Sequence, residues 1–294
     1  MQSSAVFSIL LPMALVVIML GLGLSLTVED FRRVISRPKP IVVALICQAL
    51  ILPVICFGIV YVSALPAAIA VGMMLLAASP GGSSANLYSH LAGGDVALNI
   101  TLTTINTVLA LVTLPIIVNF SLLFFYGEGK VIPLQIDKVL QVFALVLIPV
   151  TIGMIVRNRY SALAVTLDRP VKILSSLFLA GIVVIALIQE WNTLLTWGPV
   201  IGIATLAFNL ISLAIGYGVP RLMRLERRQA IAICMEVGIH NSTLVIAIAL
   251  SPTLLNNSEM AIPPAIYGLI AYITAAVVVY LIKHGGSPAA PNAA

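Results

Sequence analysis

The feature that most constrains this chain is where its charges are not. Apolar segments of about twenty residues follow one another almost end to end, and the charged residues fall mainly in the short stretches between them. Charged side chains make up 9% of the chain, against about 25% in an ordinary soluble domain. Mean hydropathy is +1.15. Segments of this length match the hydrocarbon thickness of a bilayer when helical, and no alternating pattern points to a barrel. The sequence therefore predicts an all-α integral membrane protein. Nine helices are expected, over about 5–26, 41–62, 67–92, 96–125, 139–156, 173–188, 200–219, 227–250 and 264–282. The first is read as a retained helix, because no basic leader region and no small-residue cleavage site mark it as a signal peptide. The tail after 282 is small and polar and is expected to be disordered.

An odd number of spans puts the termini on opposite sides, and basic residues decide which is which. With the amino terminus outside, the inner stretches hold Arg32, Arg33, Arg37, Lys39, Arg157, Arg159, Arg169, Lys172, Arg221, Arg224, Arg227, Arg228 and Lys283. Only Lys130 and Lys138 fall outside. The positive-inside tendency selects that orientation, with the carboxyl terminus cytoplasmic. It also accounts for the net charge of +5 without nucleic acid. Short connections suit a cell inner (plasma) membrane. Cys47, Cys56 and Cys234 lie inside apolar segments and form neither a disulfide framework nor a metal spacing.

Two of the segments are interrupted. In the eighth, Glu236-Val237-Gly238-Ile239-His240-Asn241 stands between apolar flanks at 230–233 and 244–250. A carboxylate at that depth costs about 2.5–3.5 kcal/mol on insertion scales, so Glu236 must be paired, protonated or bound to a cation. In the third, Ser79-Pro80-Gly81-Gly82-Ser83-Ser84-Ala85-Asn86 should break any helix. Irregular backbone within a membrane is tolerated only when buried in protein or lining a cavity. Each break follows a lone amide in an earlier helix, Gln48 for the first and Asn209 for the second, and each carries an amide of its own, Asn86 and Asn241. The two copies run in opposite directions through the membrane. Interrupted helices at matching positions of inverted repeats point to the midplane site of a secondary transporter, with half-helix dipoles and freed carbonyls offered to a hard cation such as sodium. The fourth segment is unusually polar, with Asn99, Thr101, Thr103, Thr104, Asn106 and Thr107. Gly81 and Gly82 form no phosphate loop, since no Gly-Lys-Ser/Thr follows. There is no nucleophile–base pair and no soluble catalytic domain, so an enzyme is not expected.

The run Glu236-Val237-Gly238-Ile239-His240-Asn241-Ser242 resembles the Glu-Val-Gly-Met-Gln-Asn-Ser signature of the bile acid:sodium symporter family. Met19-Leu20-Gly21-Leu22-Gly23, with Asp30-Phe31-Arg32-Arg33-Val34 and Arg37-Pro38, resembles that family's first block. Ala85-Asn86 through Gly93-Gly94-Asp95-Val96 resembles its other crossover helix. The resemblance runs through nearly the whole chain and fits the nine-helix bacterial form. It implies one transmembrane transporter domain over 1–294, with panel helices at about 5–26, 139–156 and 173–188, and a core at about 41–125 and 200–282. It implies one sodium site from Asn86, Asn99, Thr103 and Glu236, with Ala85 offering its carbonyl. A second would use Gln48, Glu236, the Val237 and Ile239 carbonyls and the position of His240. Asn86, Asn241 and Tyr272 are candidate contacts for cargo, a small organic anion such as a bile-acid-like, keto acid or pantoate-like carboxylate. The implied activity is sodium-coupled symport by alternating access.

Three departures stand out. Ala85 and Asn99 occupy positions where relatives commonly carry Ser. His240 replaces a Gln, and a neutral imidazole offers nitrogen, which suits sodium poorly and titrates near neutral pH. The last segment carries Tyr267, Tyr272 and Thr274 instead of the His-Asn pair of some bacterial relatives. A proton-coupled organic anion carrier or exchanger on the same fold is the alternative that His240 raises.

Overall fold

The computed structural model describes residues 38–82, 84–127, 136–251 and 254–284, with isolated helical positions between 13 and 24. Most of the first expected span, the interfacial stretch around Glu29 to Arg37, Lys130 and the polar tail lie outside the described residues. Among those described, every regular element is helical.

The second expected span is α1 (Pro38–Ile46) and α2 (Leu52–Val62), joined by a single π-helical turn, Cys47–Ile51. Pro53 has no N–H to give to a carbonyl four residues back, and a π turn in the residues before it absorbs the mismatch. Such turns cluster at functional positions, and this one carries Gln48. The third expected span is α3 (Ala67–Ala78), a break, and α4 (Ser84–Leu91). Apart from its first residue α3 is buried on all sides, as an apolar helix in the centre of a bundle must be. Gly72 lets it press against the Met260 backbone, where a Cβ would overlap the carbonyl.

Helix α5 (Val96–Tyr126) is capped by Asp95, whose carboxylate accepts from the Leu98 N–H at 3.0 Å. It bends by 53° at residue 111, four residues before Pro115, where the proline ring meets the backbone of the preceding turn. Then come α6 (Ile136–Arg159), α7 (Ser161–Gln189) and α8 (Trp191–Leu222). The eighth expected span is α9 (Arg227–Gly238) and α10 (Ser242–Leu250), and α11 (Ile262–His284) closes the described chain. A reciprocal capping box between Glu226 and Gln229 starts α9.

Three continuous helical stretches, Pro38–Val62, Trp191–Leu222 and Glu259–His284, are long and apolar enough to cross a membrane, and bent α5 adds a fourth. The helices exceed their expected bounds by up to a dozen residues. Polar starts such as Trp191-Asn192-Thr193 stay helical once packed, where composition alone reads them as a connection. The protein is an all-α, multi-pass membrane protein.

Candidate functional site

The two breaks meet. Gly81 and His240 pair as an isolated antiparallel bridge. The Gly82 N–H donates to the Ile239 carbonyl at 2.7 Å, and the Asn241 N–H donates to the Pro80 carbonyl at 2.9 Å. Backbone groups that each break strips of a helical partner are thereby satisfied by the other break, which an apolar surrounding demands. One consequence is local. In a continuous helix the Asn241 N–H would serve the Val237 carbonyl, and here it does not. The second half-helix, α10, starts from Asn241, whose side-chain oxygen accepts from the Leu244 N–H at 3.0 Å.

Glu236 lies at this crossing with no exposure to solvent. Its carboxylate accepts from Thr103 Oγ1 at 2.6 Å and Asn106 Nδ2 at 3.0 Å, and it lies against the Gly81 backbone. Thr103 Oγ1 also lies 3.1 Å from the Asn99 carbonyl. A hydroxyl has one proton, and the shorter contact to the carboxylate takes it. Gly81 has no alternative here, because a Cβ would occupy the space of the carboxylate itself. Asn99, Thr103 and Asn106 fall at i, i+4 and i+7 on one buried face of α5. The Asn99 amide donates to the Ala232 carbonyl at 2.7 Å, one turn before Glu236, so α5 and α9 share a polar seam. The other threonines of α5, Thr101, Thr104, Thr107 and Thr113, donate to carbonyls one turn back within the helix. They are helix-internal rather than part of the site.

The atoms without partners are as informative as the bonds. Among the described residues, Gln48 Oε1, Asn86 Oδ1 and Asn99 Oδ1 are buried amide oxygens with no hydrogen-bond donor. For Gln48 and Asn99 the assignment of oxygen and nitrogen is fixed by chemistry: each NH2 donates to a carbonyl, Ser79 at 2.7 Å and Ala232 at 2.7 Å, leaving the oxygen as the free end. A buried polar atom left unsatisfied costs about 1–3 kcal/mol. Several such oxygens near one carboxylate are the donor set of a hard cation, which takes oxygens. No group of three or more His, Cys, Asp or Glu side chains capable of holding a metal occurs among the described residues. The chemistry of these donors fits sodium, with Asn86, Asn99, Thr103 and Glu236 as candidates on the α4–α5–α9 side, and Gln48 with the Val237 and Ile239 carbonyls as candidates on the other.

His240 sits apart from that pattern. Its ring stacks on Phe208 (centroids 5.3 Å) and meets Tyr267 edge-on (5.5 Å). Nδ1 lies 3.2 Å from the Gln48 amide nitrogen and 3.4 Å from the Ser79 carbonyl. The shorter contact, to a donor, assigns Nδ1 as acceptor and places the ring proton on Nε2, which is buried without a partner.

Tyr272 is on the outer face, 47% exposed, stacked on Tyr88 at 6.2 Å, with the Tyr88 hydroxyl donating to its carbonyl at 3.1 Å.

Behind the second break stands a cluster that sequence reasoning did not assign to the site. The Asn209 amide donates to the Gly238 carbonyl at 2.9 Å and lies 3.1 Å from the Tyr267 hydroxyl. That hydroxyl donates to the same carbonyl at 2.8 Å, and Thr274 Oγ1 donates to Asn209 Oδ1 at 2.5 Å. Asn106 was missed as well, although its seven-residue offset from Asn99 was legible.

Comparison with known proteins settles the family. The Sodium Bile acid symporter family model matches residues 12–197. The chain belongs to this family. An uncharacterized sodium-dependent transporter, YocS, from Bacillus subtilis is 30% identical over 254 residues, 86% of this chain and 76% of that protein. Sodium/bile acid cotransporter 4 of Homo sapiens is 29% identical over 285 residues, 93% of this chain and 63% of the cotransporter. A probable sodium/metabolite cotransporter, chloroplastic BASS2 of Oryza sativa, is 25% identical over 279 residues, 92% of this chain and 63% of its own length. The chain thus spans less than two thirds of the latter two relatives. These relatives carry the names of transporters, and this family member is a membrane transport protein rather than an enzyme.

Proposed function

We propose that this chain is a secondary active transporter that couples sodium to the movement of a small organic anion by alternating access. The observation that carries the reading is the set of donorless buried amide oxygens, Gln48, Asn86 and Asn99, around the buried Glu236 carboxylate at the crossing of two broken helices. Sodium bound on the Asn86–Asn99 side would satisfy those two oxygens and neutralise the carboxylate together. The names of the sodium-dependent relatives agree with sodium as the coupling ion. We place the protein in the cell inner membrane with the amino terminus outside, on the distribution of basic residues. Panel helices α6 and α7, with the first span, would face a core that contains both breaks, and the anion would sit between them near Asn86, Asn241 and Tyr272. Keto acids and pantoate-like carboxylates are as suitable as bile-acid-like cargo.

Sodium has one complete site in this reading, on the Asn86–Asn99–Thr103–Glu236 side. The second lacks a side-chain oxygen at His240, whose lone pair faces an amide proton. Calorimetric titration of the purified protein with sodium tests the reading. One binding event is expected, abolished by Glu236→Ala, and His240→Gln should add a second. Sodium binding that ignores Glu236→Ala would sink it, and uptake driven by pH with no response to sodium would replace it with the proton-coupled carrier.

A further inference from the structure

A groove of about 460 Å³ opens where α8, α9 and α11 meet, lined by Leu210, Leu213, Tyr217, Arg227, Cys234 and Leu281 among others. Its walls are apolar except at one end. There the exposed Arg227 stands, its Nη2 donating to the Ile282 carbonyl at 3.0 Å, with its other guanidinium hydrogens available. Arg221, Arg224, Arg228 and Lys283 crowd the same end of these helices. The only acid in that connection, Glu226, is engaged in the capping box of α9. Leu210 is 49% exposed and Leu281 59% exposed, so the groove opens sideways through residues that a membrane helix presents to lipid, and not into the buried crossing.

We propose that this groove is a site for an anionic phospholipid, its phosphate held by Arg227 and one acyl chain laid along Leu210, Leu213, Tyr217 and Leu281. Charge complementarity favours that occupant: a cation at the membrane-interface end of an apolar slot matches an anionic headgroup on a chain, and basic pockets between membrane helices bind such headgroups. The floor of the groove links it to the break. Leu213 packs so closely on Gly238 that a Cβ there would overlap its side chain. The Leu213 carbonyl also accepts from the Cys234 thiol at 3.3 Å. A chain in the groove presses Leu213 onto the residue where α9 ends, and so steadies the half-helix that carries Glu236. The site is independent of which ion or cargo the protein moves.

The test uses the full chain in a zwitterionic detergent, with native mass spectrometry counting bound phosphatidylglycerol against phosphatidylcholine. Retained phosphatidylglycerol and a raised unfolding temperature are expected for the unaltered protein. Arg227→Gln should weaken that binding about fivefold. Ala214→Phe, which fills the slot from an exposed wall position, should abolish it. Equal retention of both lipids, or phosphatidylglycerol binding indifferent to both substitutions, overturns the proposal. A bile salt retained in place of phosphatidylglycerol and lost in Ala214→Phe also overturns it, by assigning the groove to a soluble amphiphile. Should Ala214→Phe fail to fold, the Arg227→Gln comparison decides alone.

Discussion

The two broken helices are held by the same device and end in different chemistry. In the first half, the Gln48 amide donates to the Ser79 carbonyl, the last before the break, across 31 positions of sequence. In the second, the Asn209 amide donates to the Gly238 carbonyl across 29. Each upstream helix thus reaches over and pins the end of a half-helix. The difference lies in the other end of each amide. Gln48 Oε1 has no donor, whereas Asn209 Oδ1 is closed off by the Thr274 hydroxyl. One amide oxygen is left open; the other is closed within the scaffold. A duplicated architecture can therefore divide labour between its copies by changing one neighbour of one side chain.

Several substitutions would break or sharpen this contrast. The largest effect is expected at the point both halves share: Gly81→Ala drives a methyl into the space of the Glu236 carboxylate. Overpacking of this kind costs about 1–3 kcal/mol, and sodium titration should show the affinity falling by tenfold or more. Next comes the direct comparison of the two amides. In the His240→Gln background, Gln48→Met should lower the affinity of the added sodium site about tenfold, the 1.4 kcal/mol of one lost ligand contact. Asn209→Leu should leave that affinity within a factor of about two and lower the unfolding temperature instead. Equal effects on sodium at both positions would mean that Asn209 is no mere support. The smallest effect belongs to Thr274→Val, which uncovers Asn209 Oδ1. An interhelical hydrogen bond in a membrane protein averages about 0.6 kcal/mol, so a slight loss of thermal stability with unchanged sodium binding is expected. A gain of sodium binding would show that the second copy has been turned into a likeness of the first.

How much of this the sequence disclosed depends on which signals are local. Pro80, Gly81 and Gly82 announce the first break, and a glutamate inside an apolar run announces the site, because both violate what their neighbours allow. Thr103 was reached by resemblance, and the structure shows its hydroxyl donating to Glu236 at 2.6 Å. The π turn at Gln48 was not foreseen, since Pro53 reads equally well as a simple kink. Nor was the closure of Asn209 by Tyr267 and Thr274, which depends on α11 returning beside α8 some sixty residues later. Such a contact has no trace in local spacing. Asn106 is the one omission that spacing could have prevented.

The crossing itself has a bearing on how such a protein can change. Its two rungs, Gly82 to Ile239 and Asn241 to Pro80, run from main chain to main chain and ask nothing of the side chains at 239, 240 or 241. Imidazole can therefore stand at 240 without loosening the junction. The shape of the membrane's weakest point is written in backbone, leaving ligand chemistry there open to drift, and a new ion preference could arise without the fold being renegotiated.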